Sequence, residues 1–213
     1  MTSSSDNALA PLGVQEIAIL VLAAGQSTRM GSPKALVEFE GRPLLEHLLA
    51  PPLLQEFGDV VVVLGHDSEA LCPVVARLGY RCIVNPDPDR GRTGSVHAGL
   101  RALRVAVRAV FVQPVDCPMI LPQTYLSLAA AIGSADVVIP VYGGKRGHPP
   151  LLSVKIIPQI LAAGPDAPLR ELLQARDVSY RLVEVDDPGV LLNIDRPEDL
   201  QRLTSLRAEG RAE

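Results

Sequence analysis

The sequence predicts an α/β fold, a Rossmann-like three-layer αβα sandwich around a mostly parallel central sheet. Of its 213 residues, 47% are hydrophobic and only 3% are aromatic, so the core must consist of Val, Leu, Ile and Ala. These residues usually fill parallel strands that are covered by helices on both faces. Short apolar runs also alternate with longer stretches of helical spacing, which is typical of strand–helix–strand crossovers.

Seven segments carry the apolar, branched pattern of strands, and they are residues 17–23, 60–64, 80–84, 109–112, 137–141, 151–154 and 180–185. Helical spacing extends over five further segments, which are residues 44–57, 70–78, 96–107, 156–162 and 169–174. A last helix is expected from Pro197, because Pro suits a first helical turn and Glu198 and Asp199 favour its positive N-terminal end.

Composition restricts the domain organisation and the partners. No repeat or linker divides the chain, so we expect one domain over residues 15–207, a disordered tail at 1–14 and a second tail at 208–213. The net charge of −4 provides no broad basic surface for nucleic acid. No apolar run approaches the roughly 20 residues that span a membrane, and the start has no secretion signal. We therefore expect a cytoplasmic protein without nucleic-acid or membrane partners.

The segment LAAGQSTRMGSPKAL follows the first apolar run and has the composition of a phosphate-binding loop. Gly25 and Gly31 let backbone N–H groups approach an anion, while Arg29 and Lys34 add positive charge. The first strand-to-helix turn of a doubly wound sheet is a common phosphate site. An ATPase-type P-loop is excluded by the Ser-Pro-Lys order after the last glycine, and a dinucleotide fingerprint is excluded because its second glycine is missing.

The pattern LAAGxSxRMGxPKxL resembles the signature of the MobA-like nucleotidyltransferases, which include the molybdenum cofactor cytidylyl- and guanylyltransferases. The resemblance covers most of residues 17–200 and implies that this loop wraps the triphosphate of an NTP. It also implies that Arg29 and Lys34 contact phosphates. The nucleotide-binding residues that it implies are Leu22, Ala23, Ala24, Gly25, Gly31, Lys34, Gly65, Asn85, Gly91 and Ser95.

Two further segments support the same resemblance. NPDPDRGRTGS, at residues 85–95, is similar to the family pattern NPxxxxGxxxS, which implies base or ribose contacts from Asn85 and Ser95. Taken alone, Asn-Pro indicates only a turn and Ser95 only a helix cap. GGKRGHPPLLS, at residues 143–153, resembles the RGHP segment of the cytidylyltransferase branch. That likeness implies acceptor binding by Arg146 and His148 in the C-terminal half of the domain, and a structural role for His148 is the alternative.

Two aspartates are candidate metal ligands. Asp116 ends an apolar strand pattern, where a carboxylate can hold a hard cation. The family's Asp-x-Pro motif implies Mg²⁺ binding by Asp116, and the closing pattern in NIDRPEDL implies a second ligand in Asp195. Each has an alternative, a loop residue for Asp116 and a helix cap for Asp195. Lys34, Arg29 and Asp116 are the implied catalytic residues, whereas Cys117 is expected to pack, because it has no partner base.

The resemblance implies a Mg²⁺-dependent transfer of a nucleoside monophosphate from an NTP to a phosphate-bearing acceptor, with release of pyrophosphate. Ala24 favours CTP, since guanylyl enzymes usually carry LAGG, and the RGHP segment favours molybdopterin as the acceptor. A molybdoenzyme is then a candidate recipient of the product. Three alternatives stay open: guanylyl transfer from GTP, nucleotidyl transfer to a sugar 1-phosphate, and a non-catalytic module that binds a nucleotide or cofactor.

Overall fold

An eight-stranded sheet forms the centre of the protein. The computed structural model describes residues 12–25, 33–196 and 198–208. The strands of the protein are β1 Ile17–Ala23, β2 Glu38–Phe39, β3 Arg42–Pro43, β4 Asp59–Leu64, β5 Arg81–Val84, β6 Ala109–Pro114, β7 Val137–Tyr142, β8 Lys145–Arg146, β9 Leu151–Ser153 and β10 Tyr180–Glu184. All except β2 and β3, which pair with each other, belong to the central sheet. The helices are α1 Leu44–Leu49, α2 Ser68–Arg77, α3 Arg92–Arg101, α4 Pro122–Ala131, α5 Ile157–Ala162, α6 Leu169–Leu173 and α7 Asp199–Ala208.

The central sheet has the strand order β10-β7-β9-β6-β1-β4-β5, and β8 pairs with β7. β1 pairs in parallel with β4 and β6, as does β4 with β5 and β7 with β10. β9 runs antiparallel to both β6 and β7, and β8 antiparallel to β7. Six strands therefore share one direction, which confirms the mostly parallel sheet predicted from the sequence.

Helices cover both faces of the sheet, so the predicted three layers are present. All seven residues of β1 are buried, and they alternate between two cores. One core contains Ile17, Ile19 and Val21 together with apolar residues of α1, α2 and α4. The other contains Leu20 and residues of α3, α5 and α6. No helix in the described part of the chain is long and apolar enough to cross a membrane.

Three local predictions differ from the structure. The helix predicted over 44–57 ends at Leu49, and a 3₁₀ helix follows over Pro52–Glu56, because the Pro51-Pro52 pair cannot continue an α-helix. The helix predicted over 96–107 instead spans Arg92–Arg101. Helix α4 was not predicted, although Pro122 at its start is a typical signal. Pro197, the predicted start of the last helix, lies outside the described residues, and α7 begins at Asp199.

Candidate active site

A cavity of about 310 Å³, here named the first cavity, lies at the carboxyl ends of β1 and β6. Eight of the predicted site residues line it, namely Leu22, Ala23, Ala24, Gly25, Lys34, Gly91, Ser95 and Asp116. Residues without a predicted role complete the lining, and they are Pro33, Ala35, Asp67, Leu71, Pro88, Arg92, Pro114 and Val115. The predicted residues Arg29 and Gly31 lie outside the described ranges.

Gly65 lies behind the first cavity and lets two loops approach each other. A Cβ atom at this position would lie 2.5 Å from the carbonyl oxygen of Ala24 and 2.9 Å from Cβ of Pro88. Only glycine therefore allows the loop after β4 to pack against the loop after β1. Gly65 shapes the wall formed by Ala24, and a direct contact of Gly65 with nucleotide stays a prediction.

Asn85 and Gly91 hold the segment before α3, although Asn85 itself does not line the first cavity. Asn85 is buried, its Nδ2 donates to Ser95 Oγ at 3.1 Å, and its Oδ1 accepts from the Asp87 N–H at 3.1 Å. Gly91 has φ +107° directly before helix α3, a conformation that strongly favours glycine. Both side-chain polar atoms of Asn85 thus hold the loop in place, and nucleotide contacts from Asn85 and Ser95 stay predictions.

The turn that carries Asp116 is held from behind by a buried polar network. Gln113 has no exposed surface, and its Nε2 donates to the carbonyl oxygens of Pro114 at 2.9 Å and Cys117 at 2.8 Å. Its Oε1 accepts a hydrogen bond from the Tyr125 hydroxyl at 2.8 Å. Because both polar atoms of the Gln113 side chain have hydrogen-bond partners, the network fixes the turn at the end of β6. The Asp116 carboxylate is thereby directed to the cavity.

Lys34 brings the two predicted metal ligands together. Its Nζ lies 3.5 Å from Asp116 Oδ2 and forms a short ion pair with Asp195 Oδ1. The side chain of Lys34 is only 19% exposed, and that of Asp116 22%. Residues far apart in the sequence therefore meet at one edge of the first cavity.

Backbone contacts place Asp195 at this site. The N–H of Ile194 donates to the carbonyl oxygen of Asp116 at 2.8 Å, which ties the two segments together. The Asp199 carboxylate accepts from the N–H groups of Asp195 and Arg196, both at 2.9 Å. The Asp199 carboxylate therefore holds the backbone that leads into α7, and the Asp195 side chain pairs with Lys34.

The carboxylates of Asp116 and Asp195 suit a divalent cation that takes its remaining ligands from water and substrate. Within the described ranges, no group of three or more His, Cys, Asp or Glu side chains is arranged to hold a metal. Mg²⁺ usually binds one or two carboxylates together with waters and substrate phosphates, so such a cage is not required. Asp116 and Asp195 provide two carboxylates that approach the same point, since both lie within ion-pair distance of Lys34 Nζ.

A second cavity, of about 570 Å³, adjoins the first on its C-terminal side. Among the described residues, its lining contains both predicted acceptor residues, three arginines and no acidic residue. The lining residues are Arg92, Val112, Pro114, Ile139, Arg146, Gly147, His148, Pro150, Pro168, Leu169, Arg170, Leu173, Gln174 and Tyr180. The guanidinium of Arg146 lies 4.9 Å from the centroid of the Tyr180 ring, a cation–π contact. This cavity is therefore suited to an anionic ligand.

The loop with Gly147 and His148 is packed against a distant segment. The His148 N–H donates to the carbonyl oxygen of Val190 at 2.8 Å, and the Gly147 N–H donates to that of Pro140 at 2.8 Å. A Cβ atom at position 147 would lie 2.5 Å from Val190 oxygen. The loop has room only for glycine at this point.

One ring nitrogen of His148 is unsatisfied within the described residues. Its Nδ1 is buried and has no hydrogen-bond partner among the described residues. Burial lowers the pKa of His148, the positive charge of Arg92 lowers it further, and the negative charge of Asp116 acts in the opposite direction. These effects favour the neutral imidazole, and acceptor binding by His148 stays a prediction.

Cys117 packs in the core, as its lack of a partner base predicted. Its Sγ donates to Asn193 Oδ1 at 2.8 Å. Burial, followed by the adjacent charge of Asp116, raises its pKa well above the usual range. The thiol is therefore protonated and a poor nucleophile.

Sequence reasoning missed Arg92, Arg170 and Gln113. Arg92 directly follows Gly91, so a basic residue at the start of a helix was the available signal. Gln113 was visible as a polar residue inside an apolar strand, where a buried side chain must find hydrogen-bond partners. No sequence signal pointed to Arg170.

Comparisons with known proteins give matches over most of the chain. The MobA-like NTP transferase domain matches residues 19–181. Nicotine blue oxidoreductase of Paenarthrobacter nicotinovorans is 28% identical over 193 residues, covering 86% of this chain and 94% of the relative. The bifunctional protein GlmU of Mycolicibacterium smegmatis is 36% identical over 134 residues, covering 59% of this chain and 28% of the relative. The match thus spans less than a third of GlmU.

Solved structures share the fold. Rv0371c of Mycobacterium tuberculosis H37Rv has a TM-score of 0.78 at 23% identity, covering 89% of this chain and 98% of that chain. Its complex with manganese has a TM-score of 0.75 at 22% identity, with the same coverage. Molybdopterin-guanine dinucleotide biosynthesis protein A of Archaeoglobus fulgidus has a TM-score of 0.62 at 20% identity, covering 90% and 99%.

Proposed function

The chain belongs to the MobA-like NTP transferase family and is a nucleotidyltransferase, and we propose that it transfers CMP from CTP to molybdopterin. One observation carries this proposal: the cavity with the predicted NTP-binding residues adjoins a second, cationic cavity. A nucleotide in the first cavity and an acceptor phosphate in the second would meet beside Asp116.

The proposed reaction is an in-line displacement at phosphorus. An acceptor phosphate oxygen attacks the α-phosphorus of CTP, a new P–O bond forms, and the bond to the leaving pyrophosphate breaks. A phosphate monoester is largely ionised at pH 7, so no strong general base is needed. Catalysis then depends on position and charge, supplied here by Lys34 and the backbone N–H groups around Gly25.

A divalent cation is part of the proposal. Asp116 and Asp195 would hold it, and when bound it would neutralise charge on the phosphate oxygens. The manganese complex of the M. tuberculosis protein supports a divalent ion in this fold. Mg²⁺ is our choice for this chain, because two carboxylates beside a triphosphate match its preference for oxygen ligands.

The choice of CTP rests on the wall at Ala24. Gly65 packs directly against the Ala24 backbone, so the side chain at position 24 helps to determine how closely a base can approach. The LAAG sequence of the cytidylyl branch is present here, although sugar nucleotidyltransferases share it. GTP is therefore the first alternative nucleotide.

The choice of molybdopterin rests on the second cavity. Arg146 and Arg170 suit an anionic group, while the Arg146–Tyr180 pair offers a flat surface to a ring. The name of the A. fulgidus protein adds support, since it links this fold to a molybdopterin dinucleotide. The match to GlmU keeps a phosphorylated sugar as the alternative acceptor.

An oxidoreductase is the second candidate function. The P. nicotinovorans relative aligns over 94% of its length and is named as an oxidoreductase of nicotine blue. In that case the two cavities would bind a redox nucleotide and a ring substrate. The Lys34, Asp116 and Asp195 cluster would then have no role in chemistry.

Pyrophosphate release separates the candidates. The protein is assayed with CTP, GTP, UTP, dTTP or ATP, with Mg²⁺ and with molybdopterin, a sugar 1-phosphate or no acceptor. Release only with CTP and molybdopterin is expected. Release only with GTP, or only with UTP or dTTP and a sugar phosphate, would select another transferase activity. Reduction of nicotine blue by a reduced nicotinamide dinucleotide, without pyrophosphate release from any NTP, would overturn the proposal.

A further inference from the structure

Arg92 occupies the junction of the two cavities. Among the described residues, only Arg92 and Pro114 line both of them. Pro114 is uncharged, so Arg92 is the charged side chain that both cavities share. We propose that Arg92 binds the acceptor phosphate and holds it against the α-phosphate of the nucleotide. This inference rests on the nucleotidyl transfer proposed above.

The backbone holds Arg92 at this junction. Arg92 is the first residue of α3, a helix of 10 residues, and Gly91 before it has φ +107° and ψ −179°. The next side chain, Thr93, donates a short hydrogen bond to the carbonyl oxygen of Ala167 in the C-terminal half. Arg90 also pairs with Asp166, with an Nη2–Oδ2 distance of 2.7 Å. The start of α3 is therefore fixed between the two halves of the chain.

The guanidinium of Arg92 is available for a ligand. Arg92 is exposed, and within the described ranges it forms no hydrogen bond or ion pair. Arg92 lines both cavities, and its charge also reaches the second one, where it adds to the effect of burial in lowering the pKa of His148. An anion placed between these sites would meet a cation that no carboxylate of the described residues pairs with.

Lys34 cannot supply this charge alone. Its ammonium is already paired with Asp116 and Asp195, so that cluster carries more negative than positive charge. The reaction must bring an acceptor phosphate close to a triphosphate, and the two repel each other. An arginine fork can bind two oxygens of one phosphate, which a lysine ammonium cannot match in geometry. Arg92 is placed to offset that repulsion.

The remaining residues define the class of acceptor. In the described part of the chain, two arginines besides Arg92 line the second cavity. They are Arg146, which is stacked on Tyr180, and Arg170. The acceptor is therefore a phosphate monoester whose other part is a flat, electron-rich ring or a second anionic group. An uncharged alcohol would give the three arginines of this cavity no anionic partner.

Two variants and a matched control test this role. Arg92→Met removes the charge and keeps much of the length, Arg92→Lys keeps the charge without the fork, and Arg101→Met makes the same change at the last residue of α3. Calorimetry measures the Kd of phenyl phosphate without nucleotide and the Kd of CTP. Loss of a charge-assisted hydrogen bond predicts that Arg92→Met weakens phenyl phosphate binding about 10- to 100-fold. Arg92→Lys should lie between, and Arg101→Met should keep the wild-type affinity for both ligands. Arg92→Met should lose less affinity for CTP than for phenyl phosphate, because Lys34 and the loop after β1 also line the nucleotide cavity.

The result separates this inference from the proposed function. If the wild type transfers CMP but Arg92→Met matches Arg101→Met in phenyl phosphate affinity and in acceptor KM, Arg92 has no such role. An equal loss of CTP affinity would also overturn the inference, because Arg92 would then belong to the nucleotide site. If Arg92→Met loses phenyl phosphate binding but the wild type releases no pyrophosphate, the proposed function fails and the anion site at Arg92 stands.

Discussion

Nζ of Lys34 lies 3.5 Å from Oδ2 of Asp116, and the same ammonium forms an ion pair with Asp195. The residue predicted to bind phosphate thus contacts both predicted metal ligands. The positive charge of Lys34 offsets the repulsion between the two neighbouring carboxylates, since like charges at short range repel strongly. The three side chains form one electrostatic unit, and each of the first two predictions removes one of its members.

Lys34→Ala is expected to lower kcat/KM for CTP by about 10²- to 10³-fold, because a preorganised charge beside the reacting phosphates is lost. Steady-state pyrophosphate release with varied CTP measures the effect. Lys155→Ala, at an exposed lysine far along the chain, is the matched control. Wild-type kinetics and CTP affinity in Lys34→Ala would remove Lys34 from the site.

Asp116→Ala is expected to abolish metal-dependent transfer while the protein still folds. Asp116 lies in a turn held by Gln113 and backbone bonds, so its carboxylate is not needed for the fold. Pyrophosphate release over a Mg²⁺ titration and far-UV circular dichroism are measured for Asp116→Ala and for Asp177→Ala, a change at an exposed aspartate. If Asp116→Ala is folded and its turnover equals that of Asp177→Ala, Asp116 is not a metal ligand.

Gly65→Ala is expected to reduce the free energy of unfolding by about 1–3 kcal/mol, since overpacking forces the backbone to shift. It should also weaken CTP binding, because the added Cβ displaces the Ala24 loop. Urea unfolding and calorimetry provide the two values. Gly164→Ala is the control, as a Cβ atom there meets nothing within 4 Å. Equal behaviour of the two variants would contradict the close approach of the two loops.

Stability should depend on pH through His148. Its pKa is lowered in the folded state, chiefly by burial and then by Arg92, so below about pH 6.5 the unfolded chain binds the extra proton more readily. The free energy of unfolding of the wild type should therefore fall, relative to His148→Gln, as the pH drops from about 7 to 5. Above about pH 7, the difference in the free energy of unfolding between the wild type and His148→Gln should be constant. Urea titrations at several pH values test this, and a pH-independent difference would contradict a neutral, desolvated imidazole.

Local patterns in the sequence were sufficient to predict the sheet. The apolar run at 17–23 became β1 with the same bounds, because a strand buried on both faces needs an unbroken apolar run. The position of Asp116 at a strand end could likewise be predicted, since polar side chains at the carboxyl ends of parallel strands face the ligand site. Half of the residues that line the first cavity could therefore be named from the sequence.

Long-range pairings could not be predicted in this way. Lys34 and Asp195 are 161 positions apart, and no local pattern indicates that they form an ion pair. Arg92 occupies an unspecified position of the NPxxxxGxxxS pattern, so its place between the two cavities depends on tertiary packing alone. The helix predicted over 44–57 failed for a local reason, because the two prolines at 51 and 52 outweigh its apolar spacing.

The contact of the Gly147–His148 loop with Val190 limits how this scaffold can acquire new substrates. Four residues after Val190, the Ile194 N–H donates to the carbonyl oxygen of Asp116, so an insertion in the loop would shift the segments that carry Asp116 and Asp195. Changes of loop length are therefore costly here during evolution. Exchange of side chains at Arg146 or Arg170 leaves that connection intact, and acceptor specificity in this lineage should diverge by point substitution on the wall of the second cavity.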